Sequence, residues 1–199
     1  MTLTAHRPLS ICVYCASSAA APPAMLESAA RFGRALADAG VRMVYGGGGI
    51  GLMGACARAA HEAGGQVFGV IPGFLTEHEV AYAAVETVVV ATMHQRKMRM
   101  FEESDAFAVL PGAIGTLEEA IELLSWRRLG LHAKPIAFFN PEGFWDALFA
   151  LFSQFETSRL LPPEFATCYT VVERIEDLLP ALLATPAGGP VSVPLVLRA

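Results

Sequence analysis

Lysine and long apolar runs are the features that this chain of 199 residues most clearly lacks. Lys97 and Lys134 are the only lysines, and no Gly-Lys-Ser/Thr follows a glycine-rich stretch, which excludes a P-loop. Although 54% of the residues are hydrophobic, no apolar run reaches the roughly 18 residues of a membrane span. The net charge is −5 and the arginines are scattered, so no basic patch indicates a nucleic-acid or membrane partner. A small-molecule partner is expected.

The N-terminal stretch and the cysteines indicate a cytoplasmic protein. MTLTAHRPLS has no charged segment followed by an apolar core, so it does not predict a secretory signal. Cys12 and Cys15 form a CxxC within SICVYCAS, which has the pattern of a strand. Side chains three positions apart in a strand point to opposite faces, so we expect buried, reduced thiols and no bridge.

Apolar runs of strand length alternate with helical patterns along residues 1–184. The strand runs are nearly continuous in Val, Ile, Phe and Ala, as in strands that are covered on both faces. This alternation predicts a single α/β domain, a doubly wound Rossmann-like parallel sheet with helices on both faces. The surplus of apolar residues is then buried in the sheet, in a subunit interface, or in both. Residues 185–199 are rich in Pro and Gly, and we expect a tail that is disordered or packs extended on a neighbour.

The stretch VYGGGGIGLMGA at residues 44–55 contains the G-x-G-x-x-G spacing of dinucleotide folds between a predicted strand and a predicted helix. A dinucleotide site also needs an acid at the end of the next strand, but that strand ends in VIPGF and no acid follows until Glu77. Two interpretations are left: a tight turn with close packing, and a helix N-terminus that glycine opens to a phosphate. We predict a monophosphate site formed by Gly46, Gly47, Gly48, Gly49, Ile50, Gly51, Met53 and Gly54.

The stretch PGAIGTLEEA at residues 111–120 forms a second turn from a strand end into a helix. Thr116 and Glu119 have the T-x-x-E spacing of a capping box, in which both side chains satisfy backbone donors at the helix start. A catalytic role for Glu119 is the alternative, because the residue lies at the carboxyl edge of the sheet and the helix dipole keeps a carboxylate ionised there.

The stretch MHQRKMRM at residues 93–100 opens another predicted helix. Arg96 and Lys97 lie in its first turns, where cations oppose the helix dipole. Either they form a solvated face whose stems pack over apolar neighbours, or they belong to a site for an anionic substrate. His94 is expected to cap or pack, because no second His or Cys lies at metal-ligand spacing from it. Glu79, in the loop after the third strand, is a further candidate at the same edge.

Together, GGGGIGLMG, MHQRK and PGAIGTLEE resemble, in order and spacing, the LOG family, named for the plant protein Lonely Guy, over about residues 9–183. Members of this family are Rossmann-like homodimers that hydrolyse the N-glycosidic bond of N6-modified AMP to the free base and ribose 5-phosphate. The resemblance implies that Arg96 and Glu119 are the catalytic pair and that the glycine loop binds the 5′-phosphate. The other residues that it assigns to the nucleotide are Glu79, Lys97, Ala113, Ile114, Gly115, Thr116, Leu117, Glu118 and Ser125.

Three positions depart from the family pattern. Ala113 stands in place of the second glycine of PGGxGTxxE, Gly49 in place of the usual Ser, and residues 77–79 read Glu-His-Glu in place of Pro-Arg-Glu. The methyl group of Ala113 is expected to narrow the pocket or to require a negative φ.

Three functions stay open at this point: a cytokinin-activating phosphoribohydrolase, an AMP nucleosidase with no cytokinin role, and a nucleotide-binding protein without catalysis. Many bacterial members of the family carry the label "lysine decarboxylase", which would imply a pyridoxal enzyme with a Schiff-base lysine and a larger cofactor site. With two lysines and no further domain, this activity is not expected. We expect no cofactor and no metal.

Overall fold

The computed structural model describes residues 8–76 and 82–184, so Glu79 and the expected tail at residues 185–199 lie outside the described residues. Strands and helices alternate from the first strand to the last helix. In chain order the elements are β1 (Ser10–Tyr14), α1 (Pro23–Asp38), β2 (Arg42–Tyr45), α2 (Gly51–Glu62), β3 (Val67–Pro72), β4 (Glu86–Val90), α3 (Met93–Glu102), β5 (Ala106–Val109), α4 (Ile114–Arg128), β6 (Ile136–Phe139), α5 (Asp146–Thr157), β7 (Thr170–Val172) and α6 (Ile175–Ala184).

The seven strands form one parallel sheet in the order β4-β3-β2-β1-β5-β6-β7. The chain runs outwards from β1 to β4, and then crosses to the other side of β1 to form β5. This arrangement confirms the predicted doubly wound fold. A crevice at the carboxyl ends of β1 and β5 follows from the reversal, because the connections leave these two strands towards opposite sides.

The sheet is buried on both faces by two separate apolar layers. Ile11 and Val13 of β1 pack in the layer formed with α1, α2 and α6, whereas Cys12 and Tyr14 pack in the layer formed with α3, α4 and α5. Cys15 lies in the first layer, so the two thiols of the CxxC lie on opposite faces, and both are buried and free. The prediction of unbridged structural thiols is therefore confirmed.

Membrane-spanning helices and metal-binding clusters are both absent from the described part of the chain. Within residues 8–76 and 82–184, none of the helices combines the length and the apolar character that crossing a membrane requires. The same residues contain no group of three His, Cys, Asp or Glu side chains arranged to hold a metal ion.

His132, which follows α4, is buried with both ring nitrogens engaged. Its Nε2 lies 3.0 Å from the carbonyl oxygen of Leu123, and its Nδ1 accepts a hydrogen bond of 3.1 Å from the backbone N–H of Lys134. Because Nδ1 accepts, the ring proton lies on Nε2 and the imidazole is neutral. Burial lowers the pKa of His132 below its ordinary value, and the charges of Arg127 and Lys134 act in the same direction.

We expect the free energy of unfolding to decrease as the pH falls below about 6.5, because His132 then gains a proton in the unfolded chain before it does in the folded protein. The His132→Gln variant should be less stable at neutral pH and should lose this part of the pH dependence. Urea unfolding across this pH range measures both effects, and His94→Gln, an exposed histidine on α3, is the control. Equal pH slopes for the wild type and His132→Gln would contradict the expectation.

Candidate active site

A cavity of about 270 Å³ opens at the carboxyl edge of the sheet, where the chain order reverses between β1 and β5. Its wall comes from four segments: the loop after β1, the first turn of α2, the first turns of α3, and the start of α4. The lining residues are Cys15, Ala16, Ser17, Ser18, Met53, Met93, Arg96, Ala113, Gly115, Thr116, Glu118 and Glu119.

Backbone hydrogen bonds hold three of these segments together. The N–H of Ala16 donates to the carbonyl of Pro111 at 3.1 Å, which continues the pairing of β1 with β5 beyond the strands. The carbonyl of Ala16 in turn accepts a bond of 3.2 Å from the N–H of Met53 in α2. These main-chain contacts hold the loop after β1 against the start of α2 and the segment before α4.

Arg96 is only 6% exposed, although it lies in the second turn of a helix at the sheet edge. Its Nε donates to the carbonyl of Val70 at 3.2 Å and its Nη2 to the carbonyl of Gly46 at 3.1 Å, while Nη1 lies 3.9 Å from the sulfur of Met93. A carbonyl within β3 and a carbonyl just after β2 thus fix the plane of the guanidinium, and within residues 8–76 and 82–184 the contact of Nη1 is with the weak thioether acceptor of Met93. The interpretation of Arg96 as part of a solvated face is wrong.

Gly46 makes room for this guanidinium. A Cβ at Gly46 would lie 2.0 Å from Nη2 of Arg96 and 3.2 Å from the sulfur of Met53. The absence of a side chain at residue 46 is therefore what allows Arg96 to reach the backbone between β2 and α2.

The rest of the glycine loop lies behind the cavity wall. Of the eight residues that the sequence assigns to the phosphate, only Met53 lines the cavity, and Gly46, Gly47 and Gly48 are buried. Gly51 has a φ of +62°, and a Cβ there would lie 2.7 Å from the carbonyl carbon of Ser17. The loop packs closely against the segment after β1, and its assignment to the phosphate stays a prediction.

The helix α4 begins at Ile114, three residues earlier than the capping-box spacing indicates. Its N-cap is Ala113, which has no side-chain acceptor, and no side chain caps the helix. Thr116 is already the third helical residue and its side chain lies against Gly112, where a Cβ would be 2.1 Å from the hydroxyl oxygen. The capping-box interpretation of Thr116 and Glu119 is therefore wrong. With a φ of −101° at Ala113, alanine in place of the family's glycine is free of backbone strain.

Glu119 lies in the second turn of α4, is 8% exposed and lines the cavity. Its charge influences the groups beneath it. Burial raises the pKa of the Cys15 thiol well above its ordinary value, and Cys56 and Glu119 raise it further. Burial, the Cys12 side chain and Glu119 likewise raise the pKa of Tyr14. Both groups therefore stay protonated at neutral pH, so the cavity contains no reactive thiolate at Cys15.

Not every residue that the resemblance assigns to the nucleotide lines this cavity. Arg96, Glu119, Ala113, Gly115, Thr116 and Glu118 do so. Lys97 instead forms ion pairs with Glu118 at 2.5 Å and Glu122 at 3.1 Å. Partial burial lowers the pKa of Lys97, but the two carboxylates outweigh it, so the pKa is raised. Ile114, Leu117 and Ser125 line a neighbouring groove on the outer side of α4.

Sequence reasoning missed five residues of the cavity, of which Cys15 and Ala16 come directly after β1. Ser17 and Ser18 follow the central strand β1, and Met93 opens α3. The position of Ser17 and Ser18 was a usable signal, because ligands of doubly wound sheets bind beyond the carboxyl ends of the central strands. No sequence motif marks Ser17 and Ser18, and the glycine turns do not include the loop after β1.

Comparison with known proteins gives the same family as the sequence motifs. A family model described as "Possible lysine decarboxylase" matches residues 53–182. The chain is 38% identical over 177 residues to the probable cytokinin riboside 5′-monophosphate phosphoribohydrolase LOGL5 of Oryza sativa subsp. japonica. The aligned region covers 88% of this chain and 72% of that protein. The chain is 42% identical over 149 residues to the cytokinin riboside 5′-monophosphate phosphoribohydrolase LOG7 of Arabidopsis thaliana, with coverage of 74% and 69%. The chain belongs to the LOG family.

Solved structures extend the fold beyond the LOG family. The molybdenum cofactor binding protein from Rippkaea orientalis superposes with a TM-score of 0.67 at 22% identity, over 90% of this chain and 98% of that one. The Moco carrier protein from Chlamydomonas reinhardtii superposes with a TM-score of 0.66 at 22% identity, over 89% and 99%. At these identities the likeness shows a shared Rossmann-type fold, and function has to be argued from the site.

The side chains that line the cavity of this LOG-family chain do not match the decarboxylase activity that the description of the family model suggests. Decarboxylation of an amino acid by pyridoxal requires a lysine that forms a Schiff base. Lys97 is held by two carboxylates, and Nζ of Lys134 donates to the carbonyl of Phe101 at 2.6 Å. Neither lysine lines the cavity.

Proposed function

We propose that this LOG-family protein hydrolyses the N-glycosidic bond of an N6-modified adenosine 5′-monophosphate and releases the free base and ribose 5-phosphate. The observation that carries the proposal is the presence of two buried charges of opposite sign, Arg96 and Glu119, in the wall of one cavity. A site that only held a nucleotide would need donors for the phosphate, but no buried carboxylate beside the sugar. The printed names of the relatives support the same reaction.

In this proposal the 5′-phosphate binds where the N-terminus of α4 opens into the cavity. The backbone N–H groups of the first turn of a helix have no partner within the helix, and together with the helix dipole they favour an anion. Here no side chain caps them, and Gly115 and Thr116 line the cavity. Ser17 and Ser18 add hydroxyl groups from the loop after β1. The glycine loop then supports the site indirectly, through the space that Gly46 leaves for Arg96.

The chemical step follows the logic of glycoside hydrolysis. As the bond between C1′ and the base nitrogen breaks, its electron pair goes to the base and positive charge builds up on the ribose. Glu119 faces this charge and accepts a proton from the attacking water, whose oxygen bonds to C1′, and the departing base takes up a proton from solvent water. Arg96 fixes the sugar hydroxyls, so that binding energy remote from the reacting bond lowers the barrier.

The choice among the three functions left open by the sequence depends on the products and on the base. We test it by incubating the purified wild type with N6-isopentenyl-AMP, AMP, GMP and CMP and measuring the free base by chromatography. Both adenine nucleotides should be cleaved, the N6-substituted one faster, and GMP and CMP at least about tenfold more slowly. Faster cleavage of AMP would favour an AMP nucleosidase. A rise in melting temperature with AMP but no free base would favour a protein that only binds nucleotides.

We further propose that the protein is a homodimer through the outer side of α4. This helix exposes an apolar groove formed with Ile114, Leu117, Ile121 and Trp126, and Ile114 is 78% exposed. Contiguous exposed apolar surface of this kind marks an interaction site in a soluble protein. Because Glu118 borders both the cavity and the groove, a second copy on this face would lie next to the nucleotide. Ser125, which lies in the groove, would then approach the partner's site.

The dimer is tested by light scattering on the purified protein. We expect a dimer for the wild type and a monomer for Ile121→Glu, because a charge at the centre of an apolar interface is costly to desolvate. Leu160→Glu is the matched control, since Leu160 is equally apolar and 69% exposed but lies after α5. A monomeric wild type, or equal effects of the two substitutions, would contradict the proposed interface.

We also propose that the protein acts in the cytoplasm. The cysteines at residues 12, 15, 56 and 168 are all free, as is usual where thiols are kept reduced. Nucleoside monophosphates are charged metabolites of the same compartment. Co-fractionation of the tagged full-length protein with cytoplasmic markers would test the assignment.

A further inference from the structure

The apolar part of the cavity is formed by two methionines. Met53, in the first turn of α2, is buried, and Met93, the first residue of α3, is 37% exposed at the mouth. The other lining residues are small, polar or charged. Methionine is flexible and polarisable, so it adapts to flat rings and to alkyl groups of different shape.

Both methionines lie beside the guanidinium of Arg96. The sulfur of Met93 is 3.9 Å from Nη1. A Cβ on Gly46 would lie 3.2 Å from the sulfur of Met53 and 2.0 Å from Nη2 of Arg96. The sulfur of Met53 is therefore close to Nη2 of the guanidinium. The apolar wall and the arginine therefore form one end of the cavity.

The strand order places this end of the cavity away from the start of α4. Arg96 bonds to a carbonyl just after β2 and to a carbonyl within β3, whereas α4 starts after β5, on the other side of β1. Neighbouring strands lie about 4.8 Å apart, so the step from β5 to β3 spans about 14 Å along the sheet edge. With the phosphate at the start of α4, the base extends towards the methionines.

The volume of the cavity decides where a substituent on the base can lie. About 270 Å³ is just below the range of roughly 300 to 1,000 Å³ of typical small-molecule clefts. A nucleotide therefore occupies the cavity with its own phosphate, sugar and base, and a group on N6 has to extend past the rim. Met93 is the large apolar side chain of the lining that is exposed at that rim.

We infer that Met93 contacts the N6 substituent of the substrate and sets the preference between N6-alkylated AMP and AMP. This inference rests on the proposed function. It makes Met93 a residue for specificity and assigns it no part in the bond cleavage. Loss of one apolar contact of this size changes relative turnover by about 10- to 200-fold.

The experiment compares kcat/KM for N6-isopentenyl-AMP and AMP in the wild type, Met93→Gln and Met93→Leu. We expect Met93→Gln to lower the ratio of the two values by about tenfold or more, and Met93→Leu to keep the ratio within about threefold of the wild type. Met98→Gln is the matched control, because Met98 lies on the same helix and does not line the cavity. Melting temperatures show that each variant is folded.

Four outcomes would overturn the inference. Equal loss for both substrates in Met93→Gln would mean that Met93 only supports Arg96, and an equal change of the ratio in Met98→Gln would mean that the effect is not local. A wild type that releases no base from either nucleotide would overturn the proposed function together with the inference. An active wild type whose ratio is insensitive to Met93 overturns the inference alone.

Discussion

Replacing Glu119 with glutamine is expected to lower the rate of base release from AMP by about 10²- to 10⁴-fold, the usual contribution of a general acid or base. Glutamine keeps the size of the side chain but can neither accept a proton from water nor oppose positive charge on the ribose. Because Glu119 is buried in the wall of the cavity, little bulk water reaches this position to replace its charge. The loss should lie in kcat, measured as adenine formed per minute under saturating AMP.

Glu122→Gln is the matched control, since it makes the same change one turn further along α4, outside the cavity. Its rate should stay within about threefold of the wild type, because Glu122 lies outside the cavity and Glu118 still pairs with Lys97 when Glu122 is replaced. The rise in melting temperature caused by AMP should persist in Glu119→Gln, because the phosphate donors at the start of α4 are unchanged. Unchanged turnover in Glu119→Gln would remove this residue from the mechanism.

Gly46→Ala is expected to lower kcat/KM by about 100-fold, although residue 46 does not line the cavity, because displacement of a reacting group by about 1 Å has effects of this size. The new methyl group would lie 2.0 Å from Nη2 of Arg96 and has to reach at least the 3.4 Å of an ordinary contact. The guanidinium therefore moves, and its bonds to Gly46 and Val70 cannot both be kept. The end of a side chain yields more easily than backbone, so activity should suffer more than stability.

Gly73→Ala is the control for the glycine substitution itself. Among the described residues, a Cβ at Gly73, which follows β3, would meet Val89 at 3.7 Å and Val90 at 4.0 Å, both ordinary contacts. This variant should keep its activity and melting temperature. A Gly46→Ala enzyme with normal kcat/KM would show that the anchored position of Arg96 is not needed for catalysis.

Much of the fold could be predicted because it depends on local patterns. The helix from Pro23 to Asp38 is bounded by residues that mark helix termini in a sequence, a proline at its start and Gly40 after its end. The start of α4 lies three residues before the capping-box position, because Thr116 and Glu119 have the spacing of a capping box while Ala113, the actual N-cap, carries no sequence signal. The strand order could not be read from the pattern of strands alone.

For the site, sequence alone left Arg96 between two interpretations. Its guanidinium reaches the carbonyl of Gly46, 50 residues away, and that of Val70, 26 residues away, and no local pattern encodes such contacts. The glycine run suggested a ligand, but the structure shows Gly46 making space for an arginine and Gly51 packing against Ser17. Both uses of glycine require close approach, and the sequence does not say what approaches.

The sequence by itself determined the class of fold, the family and the chemical types available at the sheet edge, because periodicity, glycine turns and motif spacing are properties of neighbouring residues. The tertiary structure alone decided which of those residues share a cavity. It buried Arg96 and Glu119 there, left Ser125 and Ile114 in a separate groove, and added Met93. The physical reason is that parallel strands distant in the chain end at the same edge, so the contacts at that edge depend on strand order and burial.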